Sequence, residues 1–89
     1  MALKDWKGKY PIWSLKTPKG VSGEPLILEI WRIGDYYVVN LEVGWGSYYN
    51  EPAYWLTLEA FENKKDAIKY AREFMRNNDY NSTRKLMLK

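Results

Sequence analysis

The chain has 89 residues, with five tryptophans, eight tyrosines, no cysteine and no histidine. Its length fits one small α+β domain with a thin core, which large rings help to fill because each buries roughly 150–250 Å². The missing residue types exclude disulfides, thiol nucleophiles, imidazole bases and the usual transition-metal ligands. We therefore expect a single non-enzymatic domain over residues 1–89 that needs no cofactor.

Charge is segregated along the chain, although its net value is only +3. Residues 1–20 have five lysines against Asp5, residues 21–60 are net −5, and residues 61–89 are net +4. Basic segments at both ends favour contact with a polyanion, whereas the acidic middle argues against one uniformly basic surface.

Targeting signals are not evident in the sequence. The N-terminal residues form no apolar signal-peptide core, and no apolar run approaches the roughly 18 residues of a membrane span. We expect a cytoplasmic protein that does not bind membranes.

The first two thirds of the chain predict β-structure. Alternating, β-branched and aromatic residues favour strands over residues 10–16, 26–33, 36–43 and 53–60. Gly34-Asp35 is a two-residue hairpin connection with glycine first, which pairs Ile33 with Tyr36. Residues 17–25 and 44–52 are loops rich in glycine and proline.

The C-terminal third predicts one helix. Asn63 is suited to the N-cap, and Asp66 is well placed at the positive end of a helix over residues 64–77. Residues 79–89 are read as a flexible basic tail, with an edge strand over 84–89 as the alternative. The resulting fold class is α+β, a four-stranded antiparallel sheet (β-β-β-β-α) with one C-terminal helix packed on one face.

Because the single helix packs on only one face of the sheet, the other face has no helix on it, and we call it the open face. Strand alternation places three acidic residues there, Glu29, Glu42 and Glu59. It also places six apolar or aromatic residues there, namely Ile27, Trp31, Ile33, Tyr36, Val38 and Trp55. The opposite face is apolar and includes Leu28, Ile30, Val39 and Leu41. The helix packs on it through a stripe formed by Ala67, Ala71, Phe74 and Met75.

The leading functional hypothesis is single-stranded nucleic-acid binding. Exposed rings stack on bases with little sequence preference, and the candidates are Trp31, Tyr36, Trp55, Trp45, Tyr48 and Tyr49. Basic side chains neutralise phosphates, and the candidates are Lys7, Lys9, Lys65, Lys69, Arg72 and Arg76. The element order with a basic N-terminal segment resembles the single-stranded-DNA-binding unit of Whirly proteins, which implies binding on the sheet.

Other interpretations stay open. The open face could be buried in a homodimer or against another protein, and Trp6 and Trp13 could cover part of it from within the chain. The rings of residues 44–52 also suit a sugar or another small ligand. The three outward glutamates are in addition a weak candidate for acid–base or Mg²⁺ chemistry.

Overall fold

The protein is described here by a computed structural model that covers residues 2–20, 24–43 and 55–87. It is an α+β fold, a five-stranded antiparallel sheet in chain order followed by two helices. The elements are a 3-10 turn (Ala2–Asp5), β1 (Trp6–Lys9), β2 (Ile12–Leu15), β3 (Leu26–Ile33), β4 (Tyr36–Val43), β5 (Trp55–Phe61), α1 (Lys64–Asn77) and α2 (Tyr80–Met87).

The central hairpin and the first helix confirm the sequence predictions. Strands β3 and β4 have the predicted bounds, and Ile33 pairs with Tyr36 across the turn. Helix α1 begins after Asn63, whose side chain accepts a hydrogen bond from the backbone N–H of Asp66 at 2.8 Å. Local chemistry defines both elements, since one depends on turn residues and the other on a helix cap.

The strand predicted over residues 10–16 is present as the shorter β2 (Ile12–Leu15), but the strand before it, β1, was not predicted. The segment belongs to a hairpin of two short strands, β1 and β2, joined at Tyr10-Pro11, whose peptide bond is cis. Gly8 has a positive φ of 125°, and a Cβ there would overlap the carbonyl oxygen of Ile12. The sheet therefore has five strands rather than four, because the basic N-terminal segment pairs with β2.

The prediction of a single C-terminal helix is also wrong. Residues Tyr80–Met87 form α2, and Tyr80, Thr83 and Met87 are buried at helical spacing. Asp79 caps this helix, because its carboxylate accepts the backbone N–H of Ser82 at 2.9 Å. The segment expected as a basic tail thus contributes to the core.

The core lies between the sheet and the helices. Trp6 and Trp13 are both buried in it, with 6% and 8% of their surface exposed. The Trp6 indole N–H donates to the backbone oxygen of Asn78 at 3.1 Å, which ties β1 to the end of α1. The alternative that these two tryptophans cover the open face is therefore wrong.

A β-bulge alters the face pattern of β5. The register between β4 and β5 shifts between Val39 and Asn40, so that Val39 pairs with Glu59 while Asn40 pairs with Thr57. Because Val39 faces the core, Glu59 lies on the helix side, where burial and then the charge of Glu59 raise the pKa of Tyr70. The placement of Glu59 on the open face is therefore wrong.

Candidate functional site

The open face is organised as rows of side chains that cross the sheet. Residues that pair directly across antiparallel strands lie on the same face. One row runs through Lys7, Ser14, Ile27, Glu42 and Trp55. The next row runs through Lys9, Ile12, Glu29, Asn40 and Thr57.

The aromatic part of the open face is at the β3–β5 side. The ring centroids of Trp31 and Trp55 are 5.8 Å apart, with an angle of 43° between the ring planes. Trp55 is 47% exposed and Tyr36 49% exposed, whereas Trp31 is half-buried. The sequence-predicted candidates Trp31 and Trp55 are therefore in contact, and both Trp55 and Tyr36 present ring surface to solvent.

A buried carboxyl group lies beside this tryptophan pair. Glu42 is only 5% exposed, and its Oε2 accepts the indole N–H of Trp31 at 3.1 Å. The pKa of Glu42 is raised to about 8, mainly by burial and also by a hydrogen bond and charge repulsion from Glu29, while the Trp31 hydrogen bond acts in the opposite direction. Glu42 is therefore mostly protonated at neutral pH.

A second buried polar side chain, Asn40, joins β4 to β5 beside the tryptophan pair. Asn40 is 1% exposed, and its Oδ1 accepts the hydroxyl proton of Thr57 at 2.6 Å. A buried side chain with a hydrogen-bond partner resists displacement, because breaking the bond leaves an unsatisfied polar atom. Asn40 thus fixes β4 and β5 under the tryptophan pair.

The charge on the open face differs from the sequence expectation. Three negative charges were expected, but Glu59 lies on the helix side and Glu42 is neutral near pH 7. Glu29 is the other acidic residue of the two rows, and Lys7 and Lys9 lie on the β1 edge of the same face. Apart from the neutral Glu42, the two rows together therefore hold two lysines and one glutamate.

The predicted phosphate contacts fall into two separate groups. Lys7 and Lys9 lie in the rows of the open face. The basic side chains of α1 lie on the opposite side of the molecule, because Ala67 and Ala71 of that helix are buried toward the sheet. This second group comprises Lys65, Lys69, Arg72 and Arg76, and Arg76 pairs with Glu73 at 2.9 Å.

The other sequence-predicted stacking residues, Trp45, Tyr48 and Tyr49, lie outside the described residues. Sequence reasoning missed the roles of Asn40 and Ile12. A signal for Asn40 was present, since strand alternation places it opposite Glu29 on the open face. No signal placed Ile12, which is 45% exposed, because the register of its strand was not predicted.

Comparison with known proteins found no matching family model, curated protein or solved structure. The helices in the described part of the chain are too short or too polar to span a membrane. Function is therefore inferred from the residues of this chain.

Proposed function

We propose that the chain is a small non-enzymatic module that binds single-stranded nucleic acid on its open face. Bases stack on Trp55, Tyr36 and the exposed edge of Trp31, and Lys7 and Lys9 contact phosphates. The observation that supports this most strongly is the Trp31–Trp55 pair on a sheet face that no helix covers. Sheet-borne rings that stack two or three bases are a recurrent mode of single-strand recognition.

The electrostatics of the open face are compatible with a polyanion. Each negative charge near a phosphate weakens binding, so three ionised glutamates would oppose this function. With Glu59 on the other side of the sheet and Glu42 protonated, Glu29 is the acidic residue left in the two rows. The neutral Glu42 permits bases to approach the rings at physiological pH.

The separation of rings and lysines also fits a single strand. Neighbouring strands in a sheet are about 4.8 Å apart, so β1 lies about 10 Å from β3 and about 19 Å from β5. A nucleic-acid strand that crosses the sheet from β5 to β1 therefore meets the rings first and the lysines of the edge last. Its bases lie on the centre of the sheet, and its backbone reaches Lys9 and then Lys7.

The proposal is tested by titrating the protein into a fluorescently labelled poly-thymidine oligonucleotide and measuring anisotropy at 50 and 200 mM salt. Phosphate contacts predict an affinity that falls as salt rises, and stacking predicts tighter binding of the single strand than of a duplex of equal length. Absence of binding at 50 mM salt contradicts the proposal.

A matched pair of lysine variants locates the binding face. Lys9→Gln removes a charge from the open face, and Lys69→Gln removes one exposed charge from the outer side of α1. The proposal expects Lys9→Gln to weaken oligonucleotide binding and to reduce its salt dependence, and Lys69→Gln to leave both unchanged. The opposite pattern would assign binding to the helix.

A protein interface is the second candidate for the open face. Four large apolar side chains are exposed there, namely Ile12, Ile33, Tyr36 and Trp55. Exposed apolar patches on small domains often mark contacts with another protein or a second copy of the chain. Sedimentation equilibrium tests self-association directly, and loss of a dimer in Ile33→Lys, without loss of folding, would assign the face to a homodimer.

A further inference from the structure

A cleft of about 690 Å³ lies at the end of the N-terminal hairpin, between the loop after β2 and the start of α2. Its lining includes four lysines and two aspartates, which are Lys4, Lys7, Lys16, Lys19, Asp5 and Asp79. The lysines come from the 3-10 turn, from β1 and from the segment that follows β2. Folding therefore gathers most of the positive charge of residues 1–20 around one concave surface.

These lysines have no internal counter-ion in the described part of the chain. Within residues 2–20, 24–43 and 55–87, none of the four forms an ion pair. Of the two aspartates, Asp79 accepts hydrogen bonds from the backbone N–H of Ser82 at 2.9 Å and from its hydroxyl at 3.2 Å. The carboxylate of Asp79 is thus held by the helix cap, and the cleft keeps an excess of positive charge.

The wall of the cleft is fixed by packing. Leu15 and Tyr80 line it and are 3% and 5% exposed. The Tyr80 hydroxyl donates to the backbone oxygen of Glu24 at 3.0 Å, which joins the start of α2 to the segment before β3. The lysine side chains therefore surround a preformed concavity, where charges of one sign concentrate the field and attract anions.

The chemistry of the lining favours phosphate over carboxylate. Lysine ammonium groups are common phosphate ligands, which they bind as point charges. The lining residues include four lysines and no arginine. A multiply charged phosphate ligand matches several separate ammonium groups better than one carboxylate does.

We infer that this cleft binds phosphate groups, and that their source is the backbone of the nucleic-acid strand that crosses the open face. Lys7 belongs both to an open-face row and to the lining of the cleft, so the two surfaces are continuous. The choice of backbone phosphate as the source rests on the proposed function. A free polyphosphate or nucleotide supplies the same chemistry, and the experiment below separates the two sources.

The test uses the double variant Lys16→Gln/Lys19→Gln. Its matched control is Lys65→Gln/Lys69→Gln, which removes two exposed charges from the outer side of α1. Each protein is titrated with a labelled poly-thymidine oligonucleotide over a series of salt concentrations. Separately, each is titrated with inorganic tripolyphosphate by isothermal calorimetry.

The expected result is a smaller salt dependence in the cleft variant. Loss of two phosphate contacts reduces the slope of log affinity against log salt by about 1.4, since each single-strand phosphate contributes roughly 0.7. The control is expected to keep the wild-type slope. An unchanged slope in the cleft variant, together with no tripolyphosphate binding by the wild type, overturns the inference.

The tripolyphosphate titration tests the phosphate site independently of the proposed nucleic-acid binding. Tripolyphosphate binding that the cleft variant loses and the control retains supports the phosphate site even when the wild type binds no oligonucleotide. In that case the proposed function fails, and the source is a free phosphate ligand. Oligonucleotide binding with a reduced slope in the cleft variant, without tripolyphosphate binding, supports the strand backbone as the source.

Discussion

The indole N–H of Trp31 donates to the Glu42 carboxyl at 3.1 Å, on the face of the sheet that the helices leave open. This bond couples a candidate stacking ring to a carboxyl group that is 5% exposed. A second tryptophan, Trp55, lies 5.8 Å from the first, centroid to centroid. The protonation of Glu42 and the position of the rings are therefore connected.

Stability should fall as the pH rises toward 8. The pKa of Glu42 is about 8 in the folded chain, against its ordinary value of 4.5. The folded state holds a proton that the unfolded state releases between these pH values. The free energy of unfolding therefore decreases across this window, by roughly 1.4 kcal/mol for each unit of pKa difference. Denaturant unfolding at several pH values measures the slope.

Glu42→Gln isolates the contribution of this carboxyl group. Glutamine keeps an oxygen for the Trp31 N–H and offers an N–H to Glu29, but it does not titrate. We expect the free energy of unfolding of the variant to change little between pH 5 and 8. Above pH 8, the variant should be more stable than the wild type. Glu62→Gln, at an exposed position, is the control. A wild-type slope in Glu42→Gln would show that another group is responsible.

Trp55→Leu should weaken oligonucleotide binding while the fold persists. One stacked base contributes about 1–3 kcal/mol, which predicts a loss of affinity between roughly 5-fold and 150-fold. Because Trp55 is 47% exposed, stability should change much less. Tyr10→Leu is a suitable control, since Tyr10 lies on the helix side beneath Lys64. Equal affinities for Trp55→Leu and the wild type would remove Trp55 from the site.

Gly8→Ala should destabilise the N-terminal hairpin. Gly8 has a φ of 125°, and an added Cβ meets the backbone oxygen of Ile12. Gly20 also has a positive φ, of 83°, but nothing lies within 4 Å of a Cβ there. Thermal unfolding should therefore show a larger loss in Gly8→Ala than in Gly20→Ala, for which about 1 kcal/mol is expected. Similar losses in both variants would contradict the tight packing of β1 against β2.

Thr83→Val should increase stability. Thr83 is completely buried in α2, and its hydroxyl oxygen has no hydrogen-bond partner among the described residues. Valine keeps the shape and removes a desolvated polar group, so we expect a gain of about 1 kcal/mol. That gain corresponds to a rise of roughly 4–8 °C in Tm. A lower Tm in Thr83→Val would show that the hydroxyl group is bonded.

The parts of the fold that follow from local chemistry were predictable from sequence. The Gly34-Asp35 turn defined the β3–β4 register, and Asn63 defined the start of α1. Helix α2 was not predicted, because its short polar sequence becomes helical through burial of Tyr80, Thr83 and Met87 against the rest of the chain.

The candidate site was predictable only in part. Alternation placed Trp31, Tyr36 and Trp55 on one face, and the pairing of β3, β4 and β5 agrees with this. The position of Glu59 depended on a bulge, which strand periodicity does not reveal. The neutral state of Glu42 depends on its burial beside Glu29 and Trp31, a tertiary property.

The most direct test of the open-face proposal is an NMR titration of the tryptophan indole N–H resonances, assigned with single Trp→Phe variants. On addition of a short poly-thymidine oligonucleotide, the resonances of Trp31 and Trp55 should shift, because their rings stack with bases. The resonances of Trp6 and Trp13, which are buried on the helix side, should stay in place. Shifts confined to Trp6 and Trp13, or no shifts at saturating oligonucleotide, would contradict binding on the open face.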